Sequence, residues 1–114
     1  MKYLDSQDVF ESMWFHANDG NLVEGMRPSD KGWLVYFTAP WCGPCQRLDV
    51  AKLDETATAN GLTLWKCDIT KNDYTPGYCG IRSIPTFVMF QPKTVVKSLQ
   101  SSDTETVAKW IQSL

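Results

Sequence analysis

Trp33-Leu34-Val35-Tyr36-Phe37-Thr38-Ala39-Pro40-Trp41-Cys42-Gly43-Pro44-Cys45 is the stretch on which the reading of this 114-residue chain turns. Its first six residues form a continuous apolar and aromatic run, the pattern of a strand covered on both faces. A helical pattern starts behind it at Cys42 and runs to about Ala59, where Asn60-Gly61 ends it. Two cysteines three positions apart therefore stand between a buried strand and the first turn of a helix. That turn carries unpaired backbone N–H groups and the positive end of the helix dipole, both of which favour a thiolate. A lowered pKa makes Cys42 a nucleophile near neutral pH. The i to i+3 spacing sets Cys45 one turn further on the same face, within reach of a disulfide. Pro44 costs no hydrogen bond in a first turn, and Gly43 leaves the approach to the sulfur open.

A bare C-x-x-C also fits half of a zinc site or a pair of inert buried thiols. A tetrahedral zinc site needs a second closely spaced ligand pair. The remaining cysteines, Cys67 and Cys79, have eleven residues between them and no matching pair. His16, the one histidine, falls on the first helix, where a surface or half-buried position is expected. The strand–C-x-x-C–helix context makes redox chemistry the expected reading, with no metal.

Outward from this stretch the chain reads as one α/β domain over residues 1–114. Residues 2–4 suit a short strand. Ser6 is placed to cap a helix whose inner face carries Val9, Phe10, Met13, Trp14 and Ala17. Asn18 to Gly32 reads as a long loop, expected as a surface excursion. Leu62 to Cys67 and Thr86 to Phe90 read as strands, with only a short helix or turns over 70–80. Gln91-Pro92-Lys93 is a tight turn before a strand from Thr94 to Leu99. Ser102 and Glu105 make a capping-box pattern ahead of a helix with Val107, Trp110, Ile111 and Leu114 on one stripe. The order β-α-β-α-β-(α)-β-β-α implies a mainly parallel central sheet with an antiparallel edge, helices covering both faces.

Composition narrows the function. Apolar residues are 43% and charged residues 21%, ordinary for a soluble globular protein. A net charge of −2 argues against nucleic acid as a partner, because neutralising several phosphates takes a basic surface. No apolar run approaches the roughly 20 residues of a membrane span. Met1-Lys2-Tyr3-Leu4-Asp5 turns polar at once, unlike a secretory leader. With four cysteines, the expected compartment is reducing and cytoplasmic.

Trp41-Cys42-Gly43-Pro44-Cys45 behind a buried strand is followed about forty residues later by Gly80-Ile81-Arg82-Ser83-Ile84-Pro85-Thr86. Together these resemble the thioredoxin family, closely over about residues 33–91 and at the ends by pattern only. The resemblance implies a thioredoxin fold, with a mixed sheet of four to five strands flanked by helices on both faces. It implies a protein-disulfide reductase, monomeric and without cofactor. Its substrates are disulfide-containing proteins, and it is recharged by a thioredoxin reductase or glutathione system. Cys42 attacks a substrate disulfide, and Cys45, the more buried thiol, resolves the mixed disulfide. Pro85 is the family's cis-proline facing the sulfurs, although an arbitrary X–Pro bond has only about a 5% chance of being cis. Trp41 walls the groove, in which Gly43 and Pro44 also lie, and the Ile84 backbone pairs with an extended substrate segment.

The chain also departs from the family. Tyr36 stands where a buried aspartate assists proton transfer at the second thiol, and a phenol of pKa about 10 is a poor base near neutral pH. Lys66 matches the lysine that accompanies that aspartate, so Tyr36 and Lys66 are the expected modulators of the site. Water or another group is then expected to serve Cys45. Val50 replaces a helix-kinking proline, so a straighter second helix is expected. Thr38 replaces a tryptophan found in many bacterial members. Gln100-Ser101 falls at a groove glycine, where a side chain narrows the groove. Cys67 and Cys79 are outside the family pattern. Two small apolar core residues is the favoured reading for them, against a second disulfide or a regulatory thiol. The functional alternatives are a redox-independent binding subunit of a larger assembly and a thioredoxin specialised for one partner enzyme, such as ribonucleotide reductase.

Overall fold

The computed structural model describes residues 1–16, 31–91 and 93–114. Trp33–Thr38 forms a strand, β2, buried along its whole length. The other strands are β1 (Lys2–Tyr3), β3 (Leu64–Asp68), β4 (Thr86–Gln91) and β5 (Thr94–Gln100). They make one sheet in the order β1-β3-β2-β4-β5, with β2 at its centre. The continuous apolar run follows from that place, because a central strand has a helical layer on each side.

Alternation along β2 divides its side chains between two cores. Trp33, Val35 and Phe37 join Trp65, Cys67, Val88 and Phe90 under helix α1 (Gln7–His16) and the short helix α3 (Tyr74–Tyr78). Leu34 and Tyr36 join Leu64, Phe87 and Met89 under helices α2 (Val50–Ala59) and α4 (Thr104–Ser113). Cys67 and Cys79 are free and buried in the first core, which favours the small-core-residue reading over a second disulfide. Ser6 accepts a hydrogen bond from the Val9 N–H at 3.3 Å, as a cap should.

The structure corrects several expectations. The sheet is evenly mixed rather than mainly parallel: β3 runs parallel to both β1 and β2, whereas β4 is antiparallel to both β2 and β5. Helix α3, of five residues, does not return the chain to the other end of the sheet, and β4 starts from the end at which β3 stops.

The helix expected from Cys42 to Ala59 is two pieces. A 3₁₀ turn, Pro44–Arg47, ends at Leu48, which is extended at φ −79° and ψ 134°. Asp49 then caps α2 by accepting the Lys52 N–H at 3.1 Å, while its own N–H donates to Thr104 Oγ1 at 3.0 Å. A local cap thus breaks the helix without a proline, and Val50 does not straighten it.

Helix α4 is capped by Asp103, not Ser102, because the Asp103 carboxylate accepts from both the N–H and the hydroxyl of Thr106. The third strand begins at Leu64 rather than Leu62, whose N–H closes the end of α2 on the Ala57 carbonyl. The side chain of His16, the place of Ala17, most of the loop from Asn18 and the place of Pro92 lie outside the described residues.

Candidate active site

The chain leaves the carboxyl end of β2 through Ala39 and Pro40 and enters the Cys42–Cys45 segment, where the two cysteines are joined in a disulfide. Their Cα atoms are 5.3 Å apart, a separation that the one-turn spacing sets. The Cys42 N–H donates to the Ala39 carbonyl at 3.1 Å, fixing the turn out of the strand. The Cys45 N–H points at Cys42 Sγ at 3.2 Å. Pro44 opens the 3₁₀ turn, where its missing N–H leaves no gap. A Cβ built on Gly43 meets nothing within 4 Å, so this glycine borders open space rather than a packed neighbour.

Cys45 was expected to be the more buried thiol. In the disulfide the two are alike, Cys42 at 3% and Cys45 at 4% exposure. Both cysteines lie in one small cluster with Ala39, against which Ile69 and Ile84 pack.

Trp41, immediately before them, is 69% exposed, a large aromatic surface standing free beside the sulfurs. The Ile84–Pro85 peptide is cis. Pro85 is buried and Ile84 half-buried at the entrance to β4. Trp41, Ile69, Ile81, Arg82 and Ile84 line a groove of about 170 Å³ next to the disulfide. Gln100 and Ser101 do not line it. Gln100 sits opposite Thr86 in the sheet, and Ser101 Oγ accepts the Asp103 N–H at 3.1 Å.

A second cavity, of about 250 Å³, lies on the other side of Cys45. Tyr36, Thr38 and Lys66 line it together with Cys45. The Tyr36 ring is 2% exposed and stacks on Phe87, with ring centres 4.9 Å apart. Its hydroxyl donates to Thr38 Oγ1 at 3.1 Å. Burial raises the phenol pKa above 10.0, and the bond to Thr38 offsets this only in part, so Tyr36 is neutral throughout the physiological range. Lys66 lies directly across from Tyr36 in the β2–β3 register and reaches the same cavity. The structure thus brings Tyr36 and Lys66 together behind Cys45.

Thr38 was noted in the sequence only as a replacement. Its partnership with Tyr36 was nevertheless available there, because residues two apart on a strand share a face.

The fold and the site both have known counterparts. The thioredoxin family model matches residues 14–113. Thioredoxin from Haemophilus influenzae is 37% identical over 83 residues, spanning 71% of this chain and 77% of that protein. Thioredoxin from Rhodospirillum rubrum is 39% identical over 77 residues, 66% of this chain and 73% of that one. Among solved structures, Malassezia sympodialis thioredoxin superposes with a TM-score of 0.75 at 23% identity, covering 99% of this chain and 89% of its own. Plasmodium falciparum thioredoxin gives 0.74 at 22%, covering 99% and 98%. At those identities the two structures speak for the fold alone, and the sequence matches speak for the family. A redox-ready cysteine pair at the end of the central strand of such a sheet is what that family is built around, and this chain belongs to the thioredoxin family.

Proposed function

We propose that Cys42 and Cys45 divide the work of this thiol–disulfide oxidoreductase, Cys42 attacking the substrate disulfide and Cys45 releasing the reduced product. The observation that carries the reading is the Cys42–Cys45 disulfide at the end of β2, beside a Trp41 left exposed. In the reduced protein the Cys45 N–H that approaches Cys42 Sγ is a hydrogen-bond donor to a Cys42 thiolate, and hydrogen bonding to the charged form lowers a thiol pKa. The thiolate attacks one sulfur of the substrate disulfide, and the other leaves as a thiolate. Cys45 then attacks Cys42, closes the disulfide described above and frees the second substrate sulfur.

The groove explains why the substrate is a protein segment. Trp41, Ile69, Ile81 and Ile84 offer apolar walls for side chains flanking a disulfide, and Arg82 at the same groove favours a neighbouring carboxylate. Pro85 has no N–H to compete for acceptors, which leaves the Ile84 backbone to pair with an extended segment as in strand addition. Gly43 and Pro44 keep the face over the disulfide low. A monomer suffices, since one chain supplies both sulfurs and the groove.

The electrons return through a thioredoxin reductase or through glutathione. A cytoplasmic setting suits a protein with two further thiols kept free in its core. Among the described residues no helix is long and apolar enough to cross a membrane.

Insulin reduction tests the assignment. The parent protein, recharged by dithiothreitol, is expected to precipitate the insulin B chain. Cys42→Ser is expected to lose that activity, and Cys45→Ser to accumulate a mixed disulfide at Cys42. Activity that persists in Cys42→Ser overturns the role of Cys42, and an inactive parent protein favours a redox-independent binding subunit. Comparing recharging by thioredoxin reductase with recharging by glutathione then identifies the electron source.

A further inference from the structure

The reaction leaves the cavity behind Cys45 unexplained. In the resolving step Cys45 gives up its proton and its thiolate attacks Cys42 Sγ. The Cys42–Cys45 bond forms, the bond from Cys42 to the substrate sulfur breaks, and that sulfur departs with the electron pair and is protonated from solvent. Two electrons pass from the protein dithiol to the substrate. Cys45 therefore needs a proton acceptor and something to stabilise its charge. Among the described residues no carboxylate lines this cavity, which is walled by Tyr36, Thr38, Cys45, Gln46, Leu48 and Lys66 among others.

Its hydrogen-bond accounting is directional. Tyr36 spends its single O–H proton on Thr38 Oγ1. Thr38 has one O–H of its own, which this bond does not use, and Thr38 also lines the cavity. The pair is thus a chain of two hydroxyls whose last proton is free to donate toward Cys45. A volume of about 250 Å³ has room for water, for which roughly 10–15 Å³ of such space suffices.

We propose that Thr38, held by Tyr36, is a positioning residue for resolution: its hydroxyl donates through cavity water to the Cys45 thiolate, while the proton leaves to solvent. The usual logic of a base beside the resolving thiol is replaced by a donor that stabilises the thiolate once formed.

The other charged and titratable groups around Cys45 agree with this arrangement. Lys66 enters from β3 with a positive charge, which favours the same thiolate. Gln46, Leu48 and Val50, from the 3₁₀ turn and the start of α2, carry no charge. Asp68 lies across from Thr38 in the β2–β3 register, but its Oδ1 accepts both the N–H and the hydroxyl of Thr70, at 2.9 and 2.6 Å, and it does not line the cavity. On the far side the disulfide meets Ile69 and Ile84, which do not titrate.

The inference rests on Cys45 being the resolving thiol, and the test separates the two claims. Mixed-disulfide trapping by Cys45→Ser reports on that role alone. The proposal is read from the pH profile of resolution, measured by stopped-flow on the parent, Thr38→Val, Thr38→Ser and Tyr36→Phe. Thr38→Val keeps the shape and removes the hydroxyl. Its profile is expected to move up by about one pH unit, roughly a tenfold slower step below the midpoint, as for loss of a hydrogen bond to a charged group. Thr38→Ser is expected to restore the parent midpoint. Tyr36→Phe is expected to move it by less in the same direction, because Thr38 keeps its hydroxyl but loses its orientation. A Thr38→Val midpoint equal to the parent's overturns the proposal whatever the rate, and so does a Thr38→Ser profile that stays with Thr38→Val.

Discussion

Restoring the family's aspartate with Tyr36→Asp is expected to damage the fold before it helps the chemistry. The Tyr36 ring is 2% exposed, stacks on Phe87 at 4.9 Å and belongs to the core under α2 and α4. An aspartate fills little of the space a phenol ring occupies. Large-to-small replacement of a buried aromatic costs about 3–5 kcal/mol, to which the stacked pair contributes about 0.5–1.5 kcal/mol. A domain of this size has about 5–15 kcal/mol in total, so the loss is a large fraction of it. With a urea slope of about 1–3 kcal/mol per molar, the unfolding midpoint should fall by about 2 M. The measurement is a urea titration followed by tryptophan fluorescence and far-UV circular dichroism. Tyr36→Phe serves as control, since it removes only the hydroxyl bond to Thr38 and should cost about 1 kcal/mol. If Tyr36→Asp unfolds within about 0.5 M of Tyr36→Phe, the ring is not filling the core and the reasoning fails.

The remaining predictions concern the core thiols and the exposed tryptophan. Burial pushes the thiols of Cys67 and Cys79 up to about 12. The unfolded chain releases these protons near pH 9, so it binds fewer protons than the folded one above that pH, and stability falls as pH rises from about 9 toward 12. The slope should be at most about 1.4 kcal/mol per pH unit for each thiol, and Cys67→Ala with Cys79→Ala should flatten it in urea titrations between pH 8 and 10.5. An equal slope in the double variant would assign the loss to other groups. Trp41→Ala is expected to leave the urea midpoint within about 0.5 kcal/mol of the parent, because a side chain 69% exposed contributes little to the core. It is expected to lower kcat/KM for insulin by about tenfold, as a flanking aromatic contact in a groove would. A simultaneous loss of stability would mean that Trp41 packs rather than binds.

The parts of this structure legible in advance are those set by local pattern. The run Trp33–Thr38 announced a strand with no exposed face, and it is the central one. The cysteine pair behind it announced a redox turn, and the two sulfurs are bonded. Contacts between distant segments decided the rest. At the break at Leu48 the local cap by Asp49 is joined by its contact with Thr104, 55 positions further on, which no helical period reports. The direction of β4 depends on how far residues 69–85 travel in space. Cys42 and Cys45 are equally buried in the disulfide, a state that the sequence does not specify. Ser102 and Asp103 both suit the cap of α4 by residue type, and it is the Asp103 carboxylate that accepts both bonds from Thr106.

Tyr36 and Thr38 are two departures from the family pattern, and physical chemistry makes them one. A phenol buried on the Leu34–Tyr36 face meets Leu34, Leu64 and Phe87, none of which accepts a hydrogen bond, and Lys66, whose ammonium only donates. An unpartnered buried hydroxyl costs about 1–3 kcal/mol. The position two residues along the strand is the next place on that face from which an acceptor can reach, and an indole there would offer only a donor. Threonine at 38 supplies an acceptor for the tyrosine at 36, and the 3.1 Å bond between them satisfies it. The same bond turns the threonine into the last donor before Cys45. Thr38→Trp with Tyr36 kept should consequently lose stability, because the phenol is left without its partner. Replacing both, by aspartate and tryptophan, should recover part of the lost stability, because the orphaned phenol disappears along with its partner. A double-mutant cycle across Tyr36 and Thr38 measures this coupling, and additive losses would show that the two positions are independent after all.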